Sequence, residues 1–307
     1  MSFLIFDIET IPDLSLWTPP APAPDPAPPG APLPGQLGLP GAPQPPMLQS
    51  VPPTGQITTA PTAGFTLQIP PAGQRKPRKP RAPKPKANGE PAKEPFAPLY
   101  AHRVIAIGWV WLELDAGQAQ LKGMGCVGTS TFKDDEAALL TGWNNFVRHE
   151  QPTVVSWRGR SFDVPVLGLR ALRHGISQSW ADEGYRKRYG DHHVDLFDVL
   201  TEYGAVPQSG MKLSTMSEVV GLPGKTDVDG SKVNGMYQRG EIAKIEAYCC
   251  SDAVRTAFLL LRYRLMRGWL TLEQYRVGAR ALLEQCATMN LGNLTLGVDT
   301  KRLLLEG

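Results

Sequence analysis

Two carboxylates, Asp7 and Glu9, stand two residues apart near the amino terminus, in the run Phe3-Leu4-Ile5-Phe6-Asp7-Ile8-Glu9. Phe3 to Ile8 is apolar on both faces, the pattern of a central strand covered on both sides that stops at Pro12, and alternation along an extended chain sends residues 7 and 9 to one face. Like charges beside an apolar core are tolerated when protonated, paired with cations or bound to metal, and a hard divalent cation satisfies both carboxylates together. A strand that ends here with both acids in water needs no ligand, and for these two residues alone both readings stand.

Two further acids are placed as if for chemistry. Asp163 precedes Pro165 at the start of a predicted helix that ends at Gly175. An aspartate there is a favoured N-cap, which accounts for it without any catalytic role. Asp252 falls on the apolar stripe of a predicted helix from about Glu241 to Arg267, in register with Ile245, Tyr248, Thr256 and Leu259. A core-facing carboxylate requires a partner, whether a metal, a backbone group or an arginine such as Arg255. Tyr248 lies one turn earlier on the same face, so its hydroxyl and the Asp252 carboxylate share one space.

The elements that must position these groups are strands early and helices late. Val104 to Leu114 and Ala119 to Val127 read as two strands joined through Asp115-Ala116-Gly117, and Thr153 to Ser156 as a short buried strand. Helical spacing marks Lys133 to His149, Asp195 to Tyr203, Leu213 to Val220 and Thr271 to about Met289, with a glycine-rich loop from Gly221 to Gly235. Interleaved strands and helices predict an α/β domain. Gly123 to Gly128 matches G-x-G-x-x-G but sits late in a hairpin, and Gly224-Lys225-Thr226 imitates the end of a P-loop whose first glycine is replaced by Val219; neither is a nucleotide motif.

Composition divides the chain. Of its 30 prolines, 25 lie between Pro19 and Pro98. That stretch has few large apolar residues and cannot offset its ordering entropy, so residues 18–98 are expected to be a disordered insert after the first strand. The expected organisation is therefore 1–17 as the first strand, 18–98 as insert, 99–267 as the rest of the domain and 268–307 as a helical extension packed on it. Residues 18–100 carry eight Lys or Arg against three acids, so that +5 of the formal net charge of +3 resides there and the remainder is slightly acidic. Four cysteines without C-x-x-C spacing fit a reducing cytoplasm, and the opening residues carry neither a basic leader nor a membrane-spanning run.

Phe6-Asp-Ile-Glu-Thr-Ile-Pro12, Ser156-Trp-Arg-Gly-Arg-Ser-Phe-Asp163 and Tyr248-Cys-Cys-Ser-Asp252 together resemble the three motifs of the DEDDy group of 3′-5′ exonucleases. The likeness is to stand-alone bacterial proteins related to the proofreading domain of family B DNA polymerases. His193-Val-Asp195-Leu, Gly221-Leu-Pro-Gly-Lys225, Gly230-Ser-Lys-Val233 and Gly240 extend it over residues 1–13 and about 99–265. The resemblance implies a ribonuclease H-like mixed sheet flanked by helices. It also implies two Mg²⁺ or Mn²⁺ ions roughly 4 Å apart, with Asp7 bridging both, Glu9, Asp163 and Asp252 completing their shells and Tyr248 orienting the attacking water. The implied partner is a nucleic-acid 3′ end, single-stranded DNA by preference, trimmed to 5′-mononucleotides in a setting such as DNA repair. Candidate substrate contacts are Thr10, Arg158, Phe162, His193, Asp195 and Lys225. Arg158 departs from the pattern, which ordinarily has asparagine there, and either contacts phosphate or pairs with an acid. His193 and Asp195 equally suit a strand end and a helix cap, and Lys225 equally suits a solvated loop.

An exoribonuclease shares every one of these ligands, and a catalytically weak nucleic-acid-binding scaffold shares the proline-rich arm. The run Arg75 to Lys86 alternates cations with proline and is expected to add non-specific affinity for DNA. Deleting residues 18–98 should then flatten the dependence of DNA binding on salt, measured by titration at several ionic strengths; an unchanged slope would refute the anchor.

Overall fold

The computed structural model describes residues 1–20, 96–115, 118–178, 180, 183–224 and 230–306. The disorder expected of the insert therefore concerns residues outside the described ones, apart from 18–20 and 96–98, and the same is true of Lys225.

Five strands form one mixed sheet: β1 (Ser2–Pro12), β2 (His102–Asp115), β3 (Gln118–Gly128), β4 (Thr153–Ser156) and β5 (His193–Asp195). Their spatial order is β3-β2-β1-β4-β5, with β2 antiparallel to both neighbours and β4 parallel to β1 and β5. This is the mixed sheet flanked by helices that the motifs implied. β2 and β3 close as a tight hairpin in which Asp115 pairs with Gln118. The helices in chain order are α1 (Thr129–Phe132), α2 (Glu136–Glu150), α3 (Asp163–His174), α4 (Glu183–Arg186), α5 (Leu196–Leu200), α6 (Leu213–Val220), α7 (Val233–Gln238), α8 (Ile242–Met266), α9 (Leu272–Thr288), α10 (Gly292–Thr295) and α11 (Thr300–Leu304). None is long and apolar enough to cross a membrane.

The apolar run of β1 divides by parity, as a strand covered on both faces must. Leu4, Phe6 and Ile8 face a core built with α2 and α3, including Leu139, Leu140, Trp143, Val166 and Leu167. Phe3 and Ile5 face the opposite core, where Ala253, Val254, Ala257 and Phe258 of α8 and Tyr275, Ala279 and Leu282 of α9 meet them. Asp7 and Glu9 continue that second face, so the strand sends them beneath α8. Thr271 begins α9 with a capping box to Gln274, and the carboxyl-terminal Leu303 and Leu304 are buried against the same core.

The expected elements recur with differences of detail. β1 ends at Pro12, as expected; it is paired with β2 along its whole length but with β4 only at Phe3, Leu4 and Ile5. Beyond Ile5 one side of β1 is open, and a strand tolerates a bulge and a terminal proline there. α7 occupies part of the glycine-rich run expected to be loop, because Val233 and Met236 pack on Ile11. Phe96 to Pro98 lie with the folded body: Ala97 is buried, and the backbone N–H of Asp13 donates to Ala101 O at 2.7 Å, so the chain returns where it departed.

α8 comes close to the sheet at Gly108, the residue paired with Asp7. A Cβ there would stand 2.4 Å from Cys249 O and 2.6 Å from its carbonyl carbon. Gly108→Ala must therefore lift α8 from β2. It is expected to cost about 1–3 kcal/mol in denaturant unfolding, the range of overpacked cores, and native stability in that variant would show the contact to be dispensable.

Candidate active site

α8 lies on the odd-numbered face of β1, and its polar turn falls opposite the acids. One carboxylate oxygen each from Asp7, Glu9 and Asp252 lie within 4.8 Å of one another. Glu9 is buried, Asp7 and Asp252 partly so. A β-bulge between Glu9 and Thr10 interrupts the β1-β2 register immediately after the pair.

Asp163 enters from the other side of the strand by a route that capping did not anticipate. It is the first residue of α3, with Phe162 in the N-cap position, and its Oδ1 accepts the backbone N–H of Ile8 at 3.2 Å. The fourth carboxylate is thus fixed to the peptide between the other two strand acids. Gly159 makes room for it, since a Cβ there would fall 2.4 Å from Ser156 Oγ and 3.2 Å from Asp163 Oδ2.

The electrostatics record the crowding. Burial, then the charges of Asp163, Asp252 and Glu9, push the Asp7 carboxyl well above the usual range. Glu9 is raised likewise by burial and by Asp252 and Asp163. Burial carries Asp163 up to about 7, although its own N–H and that of Ile8 oppose the shift. Asp252 rises to about 6 through burial, held down by Arg255 and by the hydrogen bond that Tyr248 donates. Arg255 Nε stands 3.7 Å from Asp252 Oδ1 and the same guanidinium donates to Pro223 O. Tyr248 itself is shifted upward by burial and the acids, so its hydroxyl keeps its proton.

The remaining candidates divide. Phe162 is next to Asp163 in the chain, and its ring meets His102 edge-on at 4.9 Å. The Thr10 hydroxyl is 2.8 Å from His102 Nδ1, while His102 Nε2 is 2.9 Å from Ala97 O. His193 is buried, bonded through Nε2 to Ser156 Oγ at 2.8 Å and depressed by burial and Arg160 to about 3, so it is a neutral interior group. Asp195 is also buried; it caps α5 through Phe197 N and accepts the backbone N–H groups of Arg158 at 2.9 Å and Arg160 at 3.0 Å. Both therefore help build the loop that carries Asp163, and Asp195 also borders the cavity that Arg158, Arg160 and Asp198 line. Arg158 is exposed, with its guanidinium 3.7 Å above the Phe197 ring.

Two neighbours of the site were not singled out from sequence. Cys249 accepts the Gly108 N–H at 3.1 Å and lies 3.4 Å from Asp7 O, pinning α8 to the strand. His102 joins Thr10 to Ala97 and stacks with the exposed Phe96 at 4.8 Å. The signal for His102 is its place opposite Pro12, visible only once β1 is paired with β2.

A mixed α/β sheet with a buried acidic cluster at the open end of its central strand defines the class of this protein. Residues 94–292 match a family described as a predicted 3′-5′ exonuclease related to the exonuclease domain of PolB, and the chain belongs to that family. The match begins after the first motif and takes in α9, which the motif resemblance left out. Among solved structures, the family B DNA polymerase from the hyperthermophilic archaeon Pyrobaculum calidifontis aligns at 16% identity with a TM-score of 0.42. That alignment covers 68% of this chain and 26% of the polymerase.

The raised carboxyls fix the sign of a pH effect. Folded values near 6 and 7, against about 4 unfolded, mean that the native state holds more protons between about pH 4 and pH 7, so stability falls as pH rises through that window. Metal-free protein should melt higher at pH 5 than at pH 8. Glu9→Gln should raise the pH 8 melting point by about 2–4 °C, and Mn²⁺ should do so at pH 8 far more than at pH 5. Scanning calorimetry checks all three, and a melting point independent of both pH and Mn²⁺ would contradict the charge crowding.

Proposed function

We propose that the protein is a metal-dependent exonuclease that removes nucleotides from 3′ ends, acting on single-stranded DNA. The observation that carries this reading is the convergence of Asp7, Glu9 and Asp252 within 4.8 Å, with Asp163 tied to Ile8 between the two strand acids. Family membership supports the reaction class.

The donor set fits the implied metals. Every ligand offered is a carboxylate oxygen, the choice of a hard divalent cation. Among the described residues Arg255 pairs with Asp252, one cation beside four carboxylates. Asp7, Glu9, Asp163 and Asp252 would hold the Mg²⁺ or Mn²⁺ ions. Such ions lower the pKa of water and offset charge on the phosphate and the leaving oxygen.

The chain's own part is positioning. Tyr248, protonated and already donating to Asp252, offers a fixed hydroxyl beside the cluster and acts by orienting water, since a phenol held above its ordinary pKa is a poor base. The backbone of β1 keeps Asp7 and Glu9 on one face, and the Ile8 N–H keeps Asp163 turned toward them. Cleavage that releases 5′-mononucleotides follows from attack at the last phosphodiester with departure of the 3′ oxygen of the remaining strand.

The deciding experiment uses matched DNA and RNA oligonucleotides, free or blocked at the 3′ end, with Mg²⁺, Mn²⁺ or chelator. Unblocked DNA should be shortened from the 3′ end, and chelator should stop the reaction. Asp7→Asn should lower kcat at least about a thousandfold, and Tyr248→Phe should lower it about 10- to 100-fold with little change in KM. Faster digestion of RNA would reassign the substrate to the exoribonuclease reading. Binding without turnover in every metal would leave a nucleic-acid-binding protein.

A further inference from the structure

Asp7, Gly108 and Cys126 form one row across β1, β2 and β3, because Gly108 pairs with Asp7 on one side and with Cys126 on the other. Residues paired across a sheet send their side chains to the same face, here the face that α8 covers. Gly108 has no side chain, and Cys249 fills the gap: its Sγ accepts the Gly108 N–H at 3.1 Å. Toward β1 that sulfur lies 3.4 Å from Asp7 O and 3.9 Å from Asp7 Oδ2. Toward β3 it meets the Cys126 thiol; burial, then this contact, push the Cys249 thiol up, so it keeps its proton. One sulfur therefore touches both a residue of the acidic cluster and a second sulfur.

The two sulfurs differ in access. Cys249 is fully buried, whereas Cys126, on the edge strand β3, is half-buried. All four cysteines are free thiols, and Cys250, the next residue of α8, is buried as well. Two thiols in contact, one of them reachable from solvent, meet the requirement for closing a disulfide under a two-electron oxidant. In a reducing setting such a bond is transient, which is how redox-sensing pairs operate.

We propose that Cys126 and Cys249 are a redox pair which hydroperoxides close to a disulfide, and that the bond weakens metal binding at the acidic cluster. The bond itself is independent of the exonuclease reading; its effect on metal rests on that reading. The Cys126 sulfur attacks hydrogen peroxide: an S–O bond forms, the O–O bond breaks, and the other oxygen leaves with the thiol proton as water. The Cys249 sulfur then attacks the sulfenic acid. An S–S bond forms, the S–O bond breaks, and the hydroxyl leaves with the Cys249 proton as a second water, so two thiols supply the two electrons that reduce one peroxide. Contact between the sulfurs makes this second step unimolecular. A disulfide holds its sulfurs about 2.05 Å apart, closer than thiols in contact, so Cys249 Sγ moves toward β3 and away from Asp7. The turn of α8 that carries Cys249 also carries Tyr248 and Asp252, so the pull reaches both sides of the cluster. Groups that support a metal ligand are worth about 10- to 100-fold in affinity.

The test treats the full-length protein with hydrogen peroxide, counts thiols in denaturant and maps peptides without reduction. Free thiols should fall from four to two, with Cys126 joined to Cys249, and dithiothreitol should restore all four. In calorimetric titration at pH 8 the oxidised protein should bind Mn²⁺ about tenfold more weakly, and dithiothreitol should recover the affinity, which it would not do for oxidised methionine. Cys126→Ala and Cys126→Ser should bind Mn²⁺ as the reduced wild type does, before and after peroxide. A bridge from Cys126 to Cys250, no bridge at all, or an Mn²⁺ affinity unchanged by the bridge overturns the redox pair. Failure of the reduced wild type to bind Mn²⁺, with the bridge from Cys126 to Cys249 formed, overturns the metal reading of the cluster alone.

Discussion

The constraint on which the structure turns is the repulsion among four carboxylates gathered in a poorly solvated place. Asp7, Glu9 and Asp252 cannot approach within 4.8 Å at the end of a hydrophobic core unless stiff elements hold them there. The central strand fixes the first two by alternation alone. The third depends on α8 lying almost in backbone contact with β2, which the missing side chain of Gly108 permits and the Cys249 thiol secures. Asp163 is restrained by a single peptide N–H of the same strand. The core beneath the cluster, where Phe3 and Ile5 meet α8 and α9, supplies the burial free energy that offsets this local instability.

Around that centre, polar groups divide their work by depth. His193, neutral and bonded to Ser156, joins β5 to β4 under the loop. Asp195, one layer out, satisfies four backbone N–H groups and so sets the shape of residues 158–160 and the start of α5. Only then come the side chains that the loop presents to solvent, Arg158 among them. On the opposite flank Thr10, His102 and Ala97 form a similar chain of bonds, ending at the ring of Phe96.

The amino-acid sequence made the centre more legible than its surroundings. Asp252 and Tyr248 were placed together by helical spacing, and Asp7 with Glu9 by strand alternation, because both are periodicities of a rigid backbone. Asp163 was misread when taken alone, since a helix-starting aspartate has a local use as a cap and nothing in its vicinity announces a partner 155 residues away. His193 and Asp195 were open to two roles because their burial is set by packing among three segments. Thr10 and His102 are neighbours only through the antiparallel pairing of β1 with β2. The short α7 escaped notice because six residues carry too few turns to show a period above their glycine-rich flanks.

Pro12 and His102 are partners across one antiparallel ladder, so everything between them is formally the loop of a β-hairpin. Its roughly ninety residues make β1-β2 pairing a long-range event, and by loop-closure entropy alone they add about 2–3 kcal/mol over a four-residue turn. During synthesis the strand that bears Asp7 and Glu9 must wait for its neighbour until the proline-rich segment has been made. Assembly of the sheet is accordingly expected to be paced by this encounter, and a polypeptide in which a short turn joined β1 directly to β2 would fold faster into the same topology.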